Sequence, residues 1–275
     1  MSKNLGQSGC TDYLAECNGL IVLVFVPGKS DFCRTMNIVV DSGNTFSKIG
    51  WFEGEKLIRY TTHLDFPELI RNIQAELPEY LFFSSVGPTQ EEFQQALGAS
   101  LPVIGLTPDT PLPIVKHYDT PQTLGADRIA AAAGANFLFP GEDLVVIDMG
   151  TCITYDVIDR DATFQGGLIS PGVRMRFNAM HTFTKRLPLF EPEKGPELIG
   201  KSTRQAMQSG VMNGTLAEIE GIIERYRHKY PTLRVVLCGG DAAFFESSLK
   251  PPIFAVPELV LIGLNRILTY NVSLQ

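Results

Sequence analysis

Two short polar turns in this sequence each follow an apolar run, and each begins with an aspartate. The first reads DSGNTFSK (residues 41–48), and the second reads DMGT (residues 148–151). Glycine lets a turn approach a ligand and present its N–H groups, and Lys48 supplies a positive charge for phosphate oxygens. Because a carboxylate would repel phosphate, Asp41 and Asp148 make chemical sense as partners of Mg²⁺, of its waters or of a monovalent cation. The pair predicts a phosphate site, although each turn alone also fits an Asx turn at a strand end.

A third glycine turn, Gly239-Gly240, follows another apolar run and is predicted to open a helix. The free N–H groups of a helix N-terminus would suit an adenine or ribose resting there. The same dipeptide is also an ordinary strand-to-helix turn.

The segment GADR (residues 125–128) stands where an alanine-rich helix is predicted to begin. Asp127 could accept the proton of a substrate hydroxyl, and the fork of Arg128 could hold a substrate carboxylate. The alternative is structural, because an acid in the first turn complements the helix dipole and a neighbouring arginine is often solvated.

One motif match is interpreted as a coincidence. Residues 195–202, GPELIGKS, fit the P-loop expression letter for letter. No good strand precedes them, Pro196 lacks a cradling N–H, and Glu197 adds negative charge. We interpret the segment as a loop that caps a helix starting near Ser202.

Composition excludes several classes of function. The formal net charge is −7 at pH 7, which disfavours a general nucleic-acid binder. The five cysteines are scattered without a C-x-x-C pair, a pattern typical of a reduced, cytoplasmic protein without a structural zinc site. The four histidines show no ligand spacing. The apolar run GLIVLVFVPG is too short to span a membrane, so no membrane partner is expected.

Apolar periodicity gives the elements that must position these residues. Strands are predicted at 37–40, in a hairpin turning at Glu53-Gly54, at 80–86 and on both sides of the second turn. Helices are predicted at 67–77, from a Thr89/Glu92 capping box to 97, at 126–138, from Pro171, at 202–229 and at the end of the chain.

The strand–turn–hairpin unit occurs twice, and 148 − 41 = 107 positions separate its copies. A repeated unit indicates a duplicated two-domain α/β protein with a cleft between its halves. We predict domains at 36–143 and 144–275. Residues 1–35 are predicted to be an N-terminal extension that is not part of the fold.

Six segments occur in one order: DSGNTFSK (41–48), GADR (125–128), IDMGTCITYD (147–156), GGLISPG (166–172), IGKST (199–203) and LCGGDA (237–242). Together they resemble type III pantothenate kinase, a member of the acetate and sugar kinase/Hsp70/actin superfamily. The resemblance covers Met36 to near the C-terminus. Cys152 stands where the family usually has alanine, a small-for-small change.

The resemblance implies a duplicated actin/Hsp70-like (ribonuclease H-like) fold and phosphorylation of pantothenate by ATP to 4′-phosphopantothenate, the first step of coenzyme A biosynthesis. It implies that Asp127 is the general base and that Asp148 binds K⁺ or NH₄⁺, with Mg²⁺ accompanying ATP near Asp41. A homodimer with substrate sites at its interface is also implied. The implied ATP-binding residues are Asp41, Ser42, Gly43, Asn44, Thr45, Phe46, Ser47, Lys48 and Thr151. The implied pantothenate-binding residues are Tyr118, Gly125, Ala126, Asp127, Arg128 and Thr203.

Two alternative functions stay open at this stage. One is another kinase of the same superfamily that acts on a sugar or a small acid. The other is a non-catalytic regulatory member of the family, which the intact phosphate, base and cation positions and the negative net charge disfavour.

Overall fold

The computed structural model describes residues 13–17, 20–24, 36–43, 46–76 and 78–274, and its strands form two mixed β-sheets. In chain order the strands are β1 (Tyr13–Cys17), β2 (Leu20–Val24), β3 (Met36–Ser42), β4 (Ser47–Glu53), β5 (Lys56–Leu64), β6 (Tyr80–Ser85), β7 (Val103–Gly105), β8 (Val115–Lys116), β9 (Leu144–Met149), β10 (Cys152–Ile158), β11 (Thr163–Pro171), β12 (Arg234–Cys238) and β13 (Ile253–Ala255). The α-helices are α1 (Phe66–Gln74), α2 (Gln90–Leu97), α3 (Ala126–Leu138), α4 (Val173–Phe183), α5 (Thr203–Lys229) and α6 (Leu259–Ser273).

The two sheets repeat one strand arrangement. The first has the order β5-β4-β3-β6-β7, and the second contains the matching order β11-β10-β9-β12-β13. Each central strand, β3 or β9, begins an antiparallel meander on one side and pairs in parallel with β6 or β12 on the other. In the second sheet β8 lies beyond β11, and β2 and β1 lie beyond β13. The shared order confirms the predicted duplicated α/β architecture.

Both central strands, β3 and β9, have apolar side chains on their two faces, and each face packs into a hydrophobic core. In β3 the buried Ile38 and Val40 pack into a core of the first sheet, whereas Val39 points to the opposite face. In β9 Val145 packs into a core of the second sheet, whereas Val146 joins the same core as Val39. That shared core contains α3 and α6, so the helix pair is packed between the two sheets.

The two central helices cross with their backbones in contact. A Cβ on Gly263 would lie 1.7 Å from the carbonyl oxygen of Ala130, and one on Gly134 would lie 2.6 Å from that of Leu259. Glycine inside a helix costs about 1 kcal/mol relative to alanine. Here it permits a crossing that a larger residue would block, and the crossing fixes α3 relative to both sheets.

Several predicted elements are confirmed with small shifts. The Thr89/Glu92 capping box opens α2, with the Glu92 N–H donating to Thr89 Oγ1 at 3.3 Å. The helix predicted at 126–138 is α3, and the helix predicted at 202–229 is α5 with Ser202 as its N-cap. The helix predicted at 67–77 is α1, which ends at Gln74, and Leu77 lies outside the described residues.

Two predicted helix starts are wrong. Pro171 ends β11 because the strand stays paired with β10 as far as Cys152, and Gly172 is the N-cap of α4. After Gly239-Gly240 the chain makes two short 3-10 turns, at 242–244 and 246–248, instead of a helix. The physical reason is the backbone path, since the Asp241 N–H donates to the Met149 carbonyl and draws the turn toward β9.

The domain predictions stay predictions. Strands β1 and β2 lie within residues 1–35, and β2 pairs in parallel with β13. The remainder of that segment lies outside the described residues. The division between 143 and 144 crosses the shared core, because α6 packs against β3 of the first sheet.

Within the ranges that the structure describes, none of the helices combines the length and apolar character needed to cross a membrane.

Candidate active site

The two aspartate turns occupy equivalent places at the ends of β3 and β9. Asp41 pairs with Lys48 across the β3–β4 ladder, and Asp148 lies between Thr154 on β10 and Cys238 on β12. The charges of Asp41 and Asp148 act on each other, so the two turns lie close together, and the space between them is called the cleft below. The sequence repeat therefore corresponds to a spatial pair.

Electrostatic coupling shows that the predicted acids share one environment. Burial raises the pKa of Asp41 to about 6, Lys48 opposes this shift, and the negative charges of Asp127 and Asp148 add to it. Burial likewise raises the pKa of Asp148 to about 6, against the positive charge of Lys48 and with the negative charge of Asp127. The cleft thus gathers three carboxylates around one lysine, and a cation or cation-bound ligand would relieve the excess negative charge.

The carboxylates of Asp41 and Asp148 could supply some of the ligands of a cation, with other groups supplying the rest. Among residues 13–17, 20–24, 36–43, 46–76 and 78–274, no group of three His, Cys, Asp or Glu side chains is arranged to hold a metal ion. Mg²⁺ in kinases commonly takes one or two carboxylates and completes its shell with phosphates and water. Asp41 and Asp148 match that use.

The first turn is narrow and partly described. Ser42 Oγ and Ser47 Oγ lie 3.0 Å apart, and the Gly43 N–H donates to the Phe46 carbonyl at 3.2 Å. Phe46 is exposed, and its ring centroid lies 5.3 Å from that of His63. The predicted contacts Asn44 and Thr45 lie outside the described residues.

The second turn is clamped by two glycines from other elements. A Cβ on Gly239, whose φ is +88°, would lie 2.4 Å from Asp148 Oδ1, and a Cβ on Gly172 would lie 2.3 Å from the Gly150 carbonyl. The Cys238 thiol donates a hydrogen bond to the Asp148 carboxylate. Thr151 is exposed at the tip. The sequence analysis assigned no role to Cys238, although its position immediately before the Gly-Gly turn could have indicated one.

The first turn of α3 carries Asp127 to the cleft. Gly125 is the N-cap, and a Cβ there would lie 2.6 Å from Asp127 Oδ1. The same oxygen accepts the backbone N–H of Arg128 at 2.8 Å. Asp127 is exposed and Ala126 is half-buried. The carboxylate is therefore held by the backbone while it stays accessible to a substrate.

Arg128 is buried, so the alternative of a solvated arginine is wrong. Its side chain is 8% exposed, and that of Asp156 is 1% exposed. Nε lies 3.1 Å from both Asp156 oxygens, and Nη2 lies 2.5 Å from Oδ1. Sequence reasoning gave no role to Asp156, although it ends the quoted segment IDMGTCITYD.

Tyr118 borders an open cavity beside this ion pair. The guanidinium carbon of Arg128 lies 5.9 Å from the Tyr118 ring centroid and 5.8 Å from that of Phe164. The cavity has a volume of about 530 Å³ and is lined by His117, Tyr118, Asp119, Thr120, Gln165, Gly166 and Gly167. The predicted substrate residues Tyr118 and Arg128 therefore share one region.

The P-loop lookalike is a helix cap, as interpreted. Ser202 Oγ accepts the Gln205 N–H at 3.2 Å, and a Cβ on Gly200 would lie 2.3 Å from the Ala206 nitrogen. The segment packs onto the start of α5 and caps that helix. Thr203 is exposed at this cap, in a stretch that also exposes Ile199.

Comparison with known proteins places these features in a family. The model of the type III pantothenate kinase family matches residues 37–225. A type III pantothenate kinase of Cytophaga hutchinsonii is 52% identical over 237 residues, which are 86% of this chain and 100% of that protein. One of Bacteroides fragilis is 42% identical over 241 residues, covering 86% of this chain and 98% of that protein.

Solved structures share the fold at low sequence identity. A protein of Campylobacter jejuni described as a Baf family transcriptional activator aligns with a TM-score of 0.58 and 23% identity, over 86% of this chain and 99% of that chain. The activator of 2-hydroxyisocaproyl-CoA dehydratase from Clostridium difficile, solved with bound ADPNP, aligns with a TM-score of 0.50 and 13% identity, over 87% and 95%. The chain therefore has the duplicated actin/Hsp70-like fold that the sequence predicted.

Proposed function

This chain belongs to the type III pantothenate kinase family, and we propose that its cleft transfers the γ-phosphoryl group of ATP to the 4′-hydroxyl of pantothenate through Asp41, Asp127 and Asp148. The family reaction gives 4′-phosphopantothenate in coenzyme A biosynthesis. The observation that supports these roles is the electrostatic coupling of Asp127 to both turn acids and of Lys48 to Asp41 and Asp148. Phosphoryl transfer depends chiefly on alignment and charge neutralisation, which such a cluster provides.

The two turns bind the triphosphate in this proposal. Thr151 on the second turn contacts phosphate, as do the residues of the first turn: Ser42, Gly43, Asn44, Thr45, Phe46, Ser47 and Lys48. Lys48 reaches phosphate oxygens as a point charge. Mg²⁺ bound with ATP would be held by Asp41 and would neutralise phosphate charge. Asp148 would hold the monovalent cation, K⁺ or NH₄⁺.

The start of α3 binds and deprotonates the acceptor. Asp127 accepts the proton of the primary hydroxyl, because its carboxylate is accessible and fixed by the Arg128 N–H at 2.8 Å. Gly125 and Ala126 leave room at the helix start for the substrate to approach. Arg128 and Tyr118 recognise the carboxylate end of pantothenate.

A second copy of the chain completes the site. Phe183, Leu198 and Ile199 are 85%, 76% and 77% exposed on α4 and on the segment before α5. Apolar side chains exposed together indicate a protein interface. A homodimer through this surface would bring Thr203 of one protomer to the substrate of the other. Ile199→Asp should shift the protein to monomers in light-scattering chromatography, whereas Leu274→Asp, which changes another exposed apolar residue, should not.

The activity is expected in the cytoplasm, where ATP is available and thiols such as Cys152 and Cys238 stay reduced.

Pantothenate-dependent ADP release, with and without K⁺, tests the proposed function. We expect release that requires pantothenate and rises with K⁺. A panel of sugars and short hydroxy acids serves as the acceptor control. Background release with pantothenate, together with turnover of another acceptor, would refute the assignment.

A further inference from the structure

Asp156 has no role in the reaction described above, yet it makes the most buried charge contact of the substrate region. Its carboxylate accepts hydrogen bonds from Nε and Nη2 of Arg128, the residue next to Asp127. It therefore occupies the Nε–Nη2 edge of the guanidinium, and Tyr118 is a further neighbour of the same side chain.

Tyr118 connects Arg128 with the cavity. The rings of Tyr118 and Phe164 flank the guanidinium at 5.9 and 5.8 Å and stand at 65° to each other. Tyr118 also lines the open cavity, together with Gly166 and Gly167. The Arg128 guanidinium is thus bound by the Asp156 carboxylate and flanked by the rings of Tyr118 and Phe164.

The backbone of β11 is shaped to admit this arrangement. Gly167 pairs with Asp156 across the β10–β11 ladder, and a Cβ there would lie 2.8 Å from Asp156 Oδ1 and 2.0 Å from the Tyr155 carbonyl oxygen. Gly166 has a φ of +87°, and a Cβ there would lie 3.5 Å from the Tyr118 ring. Gly166 and Gly167 therefore let β11 run close to both Asp156 and the Tyr118 ring.

Stability alone is a weak reason for such a pair. A buried arginine–carboxylate pair usually contributes little more than apolar residues of the same volume, because desolvation offsets its attraction. Its usual value is to hold a charged fork in one orientation. The pair lies directly behind the proposed acceptor site, where a fixed fork has a use.

We propose that Asp156 is a positioning residue that holds the guanidinium of Arg128, beside Tyr118, in the orientation in which it recognises the carboxylate of the acceptor. The proposal rests on the proposed function. It predicts that Asp156 sets the preference for an acidic acceptor over a neutral one, without taking part in proton transfer.

Removing Asp156 has two opposing effects. It would remove the repulsion between the carboxylates of Asp156 and of the acceptor. It would also release the Arg128 guanidinium from its buried position. The second effect is the larger, because an uncompensated buried charge is costly and is relieved only when the side chain leaves the pocket. Weaker recognition of the acceptor carboxylate is therefore expected.

The experiment compares pantothenate with its alcohol analogue, in which the carboxylate is replaced by a primary alcohol, on the wild type and on Asp156→Asn and Asp156→Ser. We expect the pantothenate KM and the calorimetric Kd to rise about 10- to 100-fold, the scale of one charge-assisted contact. The KM values for ATP and for the alcohol analogue should change less than about 3-fold, so the selectivity collapses.

Asp143→Asn is the matched control. Asp143 is also buried and paired with an arginine, Arg160, at 2.6 Å, but it precedes β9 at the opposite end from Asp148. Its substitution should lower the melting temperature and leave the selectivity unchanged.

Each result of the selectivity experiment either supports or overturns the positioning role of Asp156. Unchanged selectivity, tighter pantothenate binding, or failure of both Asp156 variants to fold would overturn the positioning role. A wild-type protein that does not phosphorylate pantothenate would instead refute the proposed function, so the two failures are distinguishable.

Discussion

Replacing Gly239 by alanine should lower the stability of the second sheet and disturb the proposed phosphate site. A Cβ at this position would lie 2.4 Å from Asp148 Oδ1 and 2.5 Å from the backbone nitrogen and oxygen of Met149. Contacts this short are not tolerated, so either the Gly-Gly turn or the end of β9 must move. Since Asp148 is the proposed cation ligand, the movement should reach the bound nucleotide.

The magnitude follows from two contributions. An alanine at the φ of +88° costs about 1–2 kcal/mol in backbone strain. Overpacking against atoms that cannot relax costs a further 1–3 kcal/mol or so. The free energy of unfolding should therefore fall by about 2–5 kcal/mol.

Gly141 provides a matched control, because its φ is +75° and no atom other than those of its chain neighbours lies within 4 Å of its Cβ position. Gly141→Ala should show the backbone cost of about 1–2 kcal/mol alone. The difference between the two variants isolates the contact with β9.

Urea unfolding of both variants and the wild type measures these costs, and ADP-release kinetics report the ATP KM. We expect Gly239→Ala to lose at least about 1 kcal/mol more than Gly141→Ala and to raise the ATP KM. Equal stability of the two variants, or an unchanged ATP KM in Gly239→Ala, would refute the close approach of the Gly-Gly turn to Asp148.

The remaining predictions concern the acids and the N-terminal segment. Asp127→Asn should lower kcat by about 10²–10⁴ while pantothenate binding measured by calorimetry is largely kept, and near-normal kcat would remove it as the base. Asp148→Ala should weaken the activation by K⁺ in a titration of ADP release; unchanged activation would place the cation site elsewhere. Because burial raises the folded-state pKa of Asp41 and Asp148 from 3.8 to about 6, the ligand-free protein should gain stability from these groups as pH falls from 7 toward 4 and lose it as pH rises through 6. Asp41→Asn should reduce that pH dependence in unfolding experiments, and an identical profile would contradict the shift. Deletion of residues 1–35 should leave activity intact, and loss of activity or of stability would show that β1 and β2 contribute.

The repeated aspartate turns could be predicted because their signal is local. A buried apolar run followed by Asp-x-Gly specifies a strand and its turn within a few residues, and the repeat 107 positions later follows from the sequence alone. The starts of α2, α3 and α5 were predictable for the same reason, since caps and helix formers act over one turn.

Features that depend on distant partners could not be predicted. Pro171 looks like a helix start until its pairing with Cys152 is known, and Gly239-Gly240 looks like a helix opening until Asp241 bonds to Met149. The partner of Arg128 lies 28 positions away on another element, so no local pattern identified Asp156.

The crossing of α3 and α6 has a consequence for catalysis. Asp127 lies seven residues before Gly134 on α3, a distance of about 10 Å along the helix axis. A rotation of α3 by about 10° about its glycine contact with α6 would displace the Asp127 carboxylate by about 2 Å. A misplacement of about 1 Å can lower the rate of an enzyme by about a hundredfold. The tightness of the glycine contact would therefore govern how accurately Asp127, the proposed base, meets the acceptor hydroxyl in each turnover.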